Sequence, residues 1–302
     1  GTPIDVTAYV NPIPVVTPTP ASQVLCSGNA TGISLSSNVA GSSFSWTVVQ
    51  INVSGASSGS GSSIVQTLTA TGTSPGTATY TITPAYSGCN GSPVNVVVTV
   101  NPTPVATAIP TSQTICSNQN TSLNFTSNVT GTTFTWTVSQ LGVSGASSGT
   151  GNNISQTLVN SGTTAGTATY TITPSANSCG GSSINVIVTV NPIPVAVATP
   201  VSQTICSGTA SSIALTSGVA GTSFNWTVSQ TGASGGSASS GSTIAQTLTC
   251  TGSVQGTATY TITPTANSCS GSAIIVPVSV NPSPVVTATP TPASVCSGSA
   301  TS

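Results

Sequence analysis

The chain contains no lysine, arginine, histidine or methionine, and its 302 residues carry one acid, Asp5. Those absences remove most chemistry. General acid–base catalysis needs a group that titrates near neutral pH, and only cysteines remain to supply one. A serine nucleophile needs a neighbouring base, and none exists. One carboxylate cannot build a calcium or magnesium site. Nucleic-acid binding rests on Lys and Arg neutralising phosphate, and polybasic attachment to a membrane needs the same residues. No apolar run approaches the ~18 residues of a membrane span. The expectation is therefore a protein that is no enzyme, holds no cofactor or metal, and neither binds nucleic acid nor inserts into a membrane. No signal peptide is visible at Gly1, so a targeting segment is expected outside this sequence.

What is present is a repeat. Val-Asn-Pro occurs at 10–12, 100–102, 190–192 and 280–282, a period of 90 residues without insertion or deletion. Phe44, Phe134 and Phe224 keep that period, as do Trp46, Trp136 and Trp226. The segment GTATYTITP begins at Gly76, Gly166 and Gly256. A unit of this length is domain-sized, longer than a solenoid repeat, and should own its core. The expected division is repeat 1 over 11–100, repeat 2 over 101–190 and repeat 3 over 191–280. Residues 1–10 then align with the last strand of a preceding repeat, and 281–302 with the start of a following one.

Within the first unit the apolar residues alternate, the period of a half-buried strand. Ile33 and Leu35 alternate with polar residues; so do Phe44, Trp46 and Val48, then Ala78, Tyr80 and Ile82, then Val94, Val96, Val98 and Val100. Turn signals at Ala40-Gly41, Ser74-Pro75-Gly76 and Asn90-Gly91 separate them. Strands are predicted near 13–20, 32–38, 43–50, 63–70, 76–84 and 93–101, with a further short strand within 51–62. Nothing shows a helical period. Short alternating strands with frequent turns predict an all-β chain of antiparallel β-sandwiches. Pro12, Pro14, Pro18 and Pro20 place the first strand on a sheet edge, because proline cannot donate to a ladder. They also leave little slack between repeats, which favours a head-to-tail rod.

The set formed by Cys26-Ser27-Gly28, Phe44-Ser45-Trp46-Thr47, Tyr80-Thr81-Ile82-Thr83-Pro84, Gly88-Cys89 and Val100-Asn101-Pro102 resembles the PKD-like, immunoglobulin-like domains of bacterial surface proteins. The resemblance extends over all three units. It implies shafts and spacers of extracellular adhesins and appendages, exported by a type IX-like route, and it brings no catalytic residue. The family's members ordinarily carry surface charge; the near absence of charge here points to packing, with neighbouring repeats and laterally associated copies as partners, since nothing repels a second copy. An adhesin stalk whose domains or tip bind glycan or protein is the alternative, although loops of Ser, Gly and Thr do not form an obvious binding surface.

Seven of the eight cysteines follow the period. Cys26, Cys116, Cys206 and Cys296 come after the first strand; Cys89, Cys179 and Cys269 lie in the turn before the last strand. An extracellular setting and this regularity suggest disulfides. In a sandwich of this topology those two positions lie at opposite ends of one domain, and a strand of ten residues spans ~33 Å, too far for a disulfide. Pairing between successive repeats, Cys26 with Cys179 and Cys116 with Cys269, is the expected arrangement. It leaves Cys89, Cys206, Cys250 and Cys296 unpaired within the chain. Pairing inside one repeat, Cys26 with Cys89, stays open if the first strand crosses over. Cys250 breaks the period and reads as a small hydrophobe with a free thiol, or else as a redox or cross-linking site.

Three further signals have plain readings. The tryptophans share parity with core positions, which makes them core residues before sugar platforms. Gln66, Gln156 and Gln246 sit at apolar parity, as buried amides bonded to backbone or as marks of a β-bulge. The Gly-rich segment 55–61 lacks the lysine of a phosphate loop and reads as a mobile turn.

Overall fold

A computed structural model of the protein describes residues 1–287. All regular structure among the described residues is β. The described residues form two compact units: residues 1–159 with 167–190, and residues 160–166 with 191–287. The first unit holds two sandwiches and the second holds one.

In the first sandwich the strands are β1 (Val16–Thr19), β2 (Ser22–Cys26), β3 (Asn29–Ala30), β4 (Ile33–Ser37), β5 (Ser43–Ile51), β6 (Val53–Ser54), β7 (Gly59–Ser60), β8 (Ser63–Ile64), β9 (Thr67–Ala70), β10 (Gly76–Tyr86), β11 (Cys89–Asn90) and β12 (Val94–Asn101). One sheet has the order β1-β4-β8; the other has β2-β12-β10-β5-β7, with β11 on β10; β3-β9-β6 forms a small third sheet. Corresponding segments build the same two main sheets in the other sandwiches, around Gly166–Ala176 and Gly256–Ala266.

The alternation in sequence becomes two faces. Tyr80, Ile82, Ala78, Val96, Val98 and Val100 are wholly buried, with Ile33, Ile64 and Leu68 across from them. Each such valine, isoleucine or leucine side chain contributes about 1.5–3 kcal/mol relative to exposure. The threonines of β10 point the other way. Trp46, Trp136 and Trp226 are at most 8% exposed and belong to the cores.

The first strand differs from its prediction. It splits: β1 runs antiparallel to β4, then the chain changes sheets and β2 runs parallel to β12. The peptide bond Thr19–Pro20 at this crossing is cis, as are Ile109–Pro110 and Thr199–Pro200. Both halves lie on sheet edges, so Pro18 costs no interior ladder bond. Cys26 thus ends a second strand, where the sequence suggested a connection.

The strand predicted at 63–70 is also broken, at Val65 and Gln66. There the Thr31 hydroxyl replaces a strand partner. It accepts from the Gln66 N–H at 2.9 Å and donates to the Ile64 carbonyl at 2.9 Å. The Gln66 amide ties down the loop beneath it: Oε1 accepts from Tyr80 Oη at 2.8 Å and from the Ser57 N–H at 3.0 Å, and Nε2 donates to the Ser57 carbonyl at 2.9 Å. Gln156 and Gln246 repeat this with Tyr170 and Ser147, and with Tyr260 and Ser237. The Gly-rich segment is therefore bonded in place rather than a mobile turn. Burial pushes the Tyr80 and Tyr170 phenols up to about 12, and it raises Tyr260 as well. All three stay protonated and able to donate to their glutamines.

Candidate functional site at the junction between repeats

The junction begins where β12 ends. Asn101 pairs with Cys26, and its carbonyl accepts from the Ser27 N–H at 2.8 Å. Ser27 Oγ accepts from the Ala70 N–H at 3.0 Å, and the Gly28 N–H reaches the Leu68 carbonyl at 2.8 Å. Gly28 has φ of 90°, and the equivalent Asn118 and Gly208 have φ of 67° and 85°. This left-handed position suits Gly and Asn. Cys-Ser-Gly is thus a corner that holds the cysteine at the end of a paired strand.

The facing element is the tight turn before the last strand. Ser87-Gly88, Asn177-Ser178 and Asn267-Ser268 all have positive φ, the signature of a two-residue type I′ hairpin. The turn presents the carbonyl of its first residue. Asn101 Nδ2 donates to the Asn177 carbonyl at 3.2 Å, and Asn101 is 7% exposed. Asn11 makes the same bond to Ser87 at 3.2 Å, and within the second unit Asn191 makes it to Asn267 at 3.3 Å. Val-Asn-Pro stood out in the sequence only as a repeat marker; its amide is a bond from the end of one repeat to the turn of the next.

Beside the turn, Gly181 lies so close to the Pro104 carbonyl that a Cβ would stand 1.8 Å from the oxygen. Gly91 against Pro14 and Gly271 against Pro194 are equivalent. Glycine is needed here for close approach of two backbones.

Cys26 and Cys179 are joined by a disulfide with Cα atoms 5.6 Å apart. The bond runs from the end of β2 in the first repeat to the hairpin turn of the second, alongside the Asn101–Asn177 contact. Cys116 and Cys269 are each disulfide-bonded. Cys89, the alternative partner for Cys26 inside its own repeat, is a free thiol, as is Cys206. Cys296 lies outside the described residues. Cys250 is free and half-buried, and its Sγ donates to the Val254 carbonyl at 3.0 Å and the Gly252 carbonyl at 3.3 Å. In the second repeat the equivalent Asn160 donates through Nδ2 to the Thr164 carbonyl at 2.8 Å. Thiol and amide close the same turn, so Cys250 has a structural task.

Among solved structures the chain is similar to human CDH23 EC21-23, at 12% identity and TM-score 0.42, covering 88% of this chain and 100% of that one. It is similar to the Escherichia coli adhesin FdeC at 16% identity and TM-score 0.37, covering 93% and 100%. Mouse Cadherin-23 EC22-24 matches at 12% identity and TM-score 0.35, covering 90% and 100%. At these identities the likeness is one of fold alone. None of the curated protein sequences matches the chain. The model of the PKD-like domain, in contrast, matches residues 23–104, 113–194 and 203–284. The chain belongs to the PKD-like domain family, as an array of three tandem copies.

Proposed function

We propose that the chain is the shaft of an extracellular bacterial fibre or surface appendage. Residues 11–100, 101–190 and 191–280 act as its successive building blocks, and 1–10 and 281–302 belong to neighbouring ones. The blocks are joined covalently, Cys26 to Cys179 and Cys116 to Cys269, and the period carries the series onward through Cys89 and Cys206 to repeats on either side. The observation that carries this reading is the disulfide from the end of one repeat to the hairpin turn of the next. A cross-link at that place fixes how two domains join and has no bearing on a ligand. Disulfides persist in oxidising surroundings, which supports an extracellular location. A surface almost without charge adds lateral contact with other copies.

Electron cryo-microscopy of the native material tests the proposal. Uniform filaments with an axial spacing of roughly 35–45 Å, one strand length, are the expected result. Single flexible strings ending in a distinct head would overturn it and assign the function to that head.

A further inference from the structure

We infer that the Cys26–Cys179 disulfide is a redox-gated load bypass: while it is closed, tension on the two ends of the chain passes through the sulfurs and leaves residues 27–115 outside the line of force. The inference rests on the shaft reading in one respect, that a shaft is pulled from its ends.

The bonded cysteines are 153 residues apart in sequence. Everything between them is a closed loop containing β3 to β12 of the first sandwich and the strands of the second from Ala106–Ile109 to Gly166–Ala176. Force entering from Gly1 follows β1 and β2 and crosses at Cys26 to Cys179. Both anchor points lie in hydrogen-bonded structure. β2 is registered on β12 from Ser22 opposite Val97 to Cys26 opposite Asn101, and the Ser27 N–H extends that ladder to the Asn101 carbonyl. Cys179 follows its turn directly and pairs with Ala176. Load therefore reaches the sulfurs through paired structure, and the first sandwich puts two edge strands, β1 and β2, in the force line rather than its whole core.

Opening the bond changes the topology. Dithiothreitol does this in two exchange steps. Its thiolate attacks one cysteine sulfur, the S–S bond breaks, and the other cysteine leaves as a thiolate that takes up a proton. The second thiol of the reagent then closes a ring on the mixed disulfide and releases the first cysteine. The reagent is oxidised by two electrons, and Cys26 and Cys179 end as thiols. Residues 27–115 then lie in series with the load, and the strands of the first sandwich can be drawn out. With Cys116 and Cys269 replaced by serine, residues 27–178 all join the line, and the gain in reach is on the order of 500 Å for ~150 residues of extended chain.

The test is single-molecule stretching of the full 302-residue chain carrying Cys116→Ser and Cys269→Ser, which removes the second, overlapping closed loop, held by handles at its two termini, with disulfide mapping on the same oxidised sample. Three samples are compared: oxidised, oxidised then treated with dithiothreitol, and Cys26→Ser without reductant. The expected result is a maximum extension shorter by about 500 Å in the oxidised chain, restored to full length by dithiothreitol and by C26S alike. The C26S arm separates loss of the bond from any other effect of the reductant. Full extension of the oxidised chain overturns the inference, whether mapping finds Cys26 unlinked to Cys179 or finds the link present before loading and lost under it. Neither result touches the shaft reading, which filament imaging decides separately.

Discussion

The first and third repeats share a fold and differ under one tryptophan. In the first, Trp46 pairs across the ladder with Gly59, and the indole Nε1 donates to the Ser57 carbonyl at 3.1 Å. The second repeat does the same, with Trp136 over Gly149 and a bond to Ser147 at 3.1 Å. A Cβ on Gly59 would stand 2.8 Å from the Trp46 ring. In the third repeat the residue opposite Trp226 is Ser239, which has that Cβ. There the indole Nε1 is buried and unpartnered. An unpaired buried donor costs about 1–3 kcal/mol. The glycine is thus a spacing device that lets the ring slide close enough to bond, while the glutamine network beneath it, intact in all three repeats, holds the loop regardless.

The largest expected effect comes from breaking what the repeats share. Gln156→Leu leaves the Tyr170 hydroxyl and the Ser147 N–H without their partners, at a cost of about 3 kcal/mol. Amide hydrogen exchange read by mass spectrometry should show the loss in the second repeat, with the first and third as internal references. Next is Gly149→Ser, which imposes the third repeat's residue on the second. It should cost about 1–2 kcal/mol and raise exchange around residues 147–150 to the rate at 237–240. The converse change, Ser239→Gly, should gain about 1 kcal/mol as Trp226 Nε1 recovers a carbonyl; unchanged protection there would separate the missing bond from the missing glycine.

The smallest effect across ordinary conditions is that of pH, because the chain has one acid and no base among its side chains. The buried tyrosines act only at high pH. Their phenols are raised in the folded protein, to about 12 for Tyr80 and Tyr170, so the folded state holds its protons more tightly than the unfolded one. Their contribution is fully present below the unfolded-state value of about 10 and is lost as pH rises from there towards 12. Thermal melts followed by circular dichroism should place the fall due to Tyr80 and Tyr170 in that window, and Tyr260, raised by burial, acts in the same direction.

Much of the fold was legible because period-2 alternation survives in Phe44-Trp46, Ala78-Tyr80-Ile82 and Val96-Val98-Val100. The strand β2 was not. Val24 is 67% exposed and Gln23 and Leu25 are half-buried, so this edge strand shows little alternation, and its partner β12 is a parallel strand some 75 residues further on. Gln66 was legible as a buried amide bonded to backbone or as the mark of a β-bulge; it is a half-buried amide, bonded to the Ser57 backbone, at a break in a strand. What hid the answer was Thr31, whose hydroxyl supplies a bond that strand pairing normally supplies. At the junction the cysteine period was plain in the sequence, whereas the role of Asn101 was not. An asparagine before proline reads as a turn, and nothing local reveals that its amide reaches a carbonyl 76 residues away.

The central claim is that successive repeats are joined covalently at their junctions. Peptide mapping without reduction tests it most directly, using chymotrypsin or pepsin because trypsin has no site to cut. The account predicts one linked pair carrying Cys26 with Cys179 and another carrying Cys116 with Cys269, while Cys89, Cys206 and Cys250 react with an alkylating reagent. A linked pair carrying Cys26 with Cys89, or Cys116 with Cys179, would place the bonds inside single repeats and contradict it.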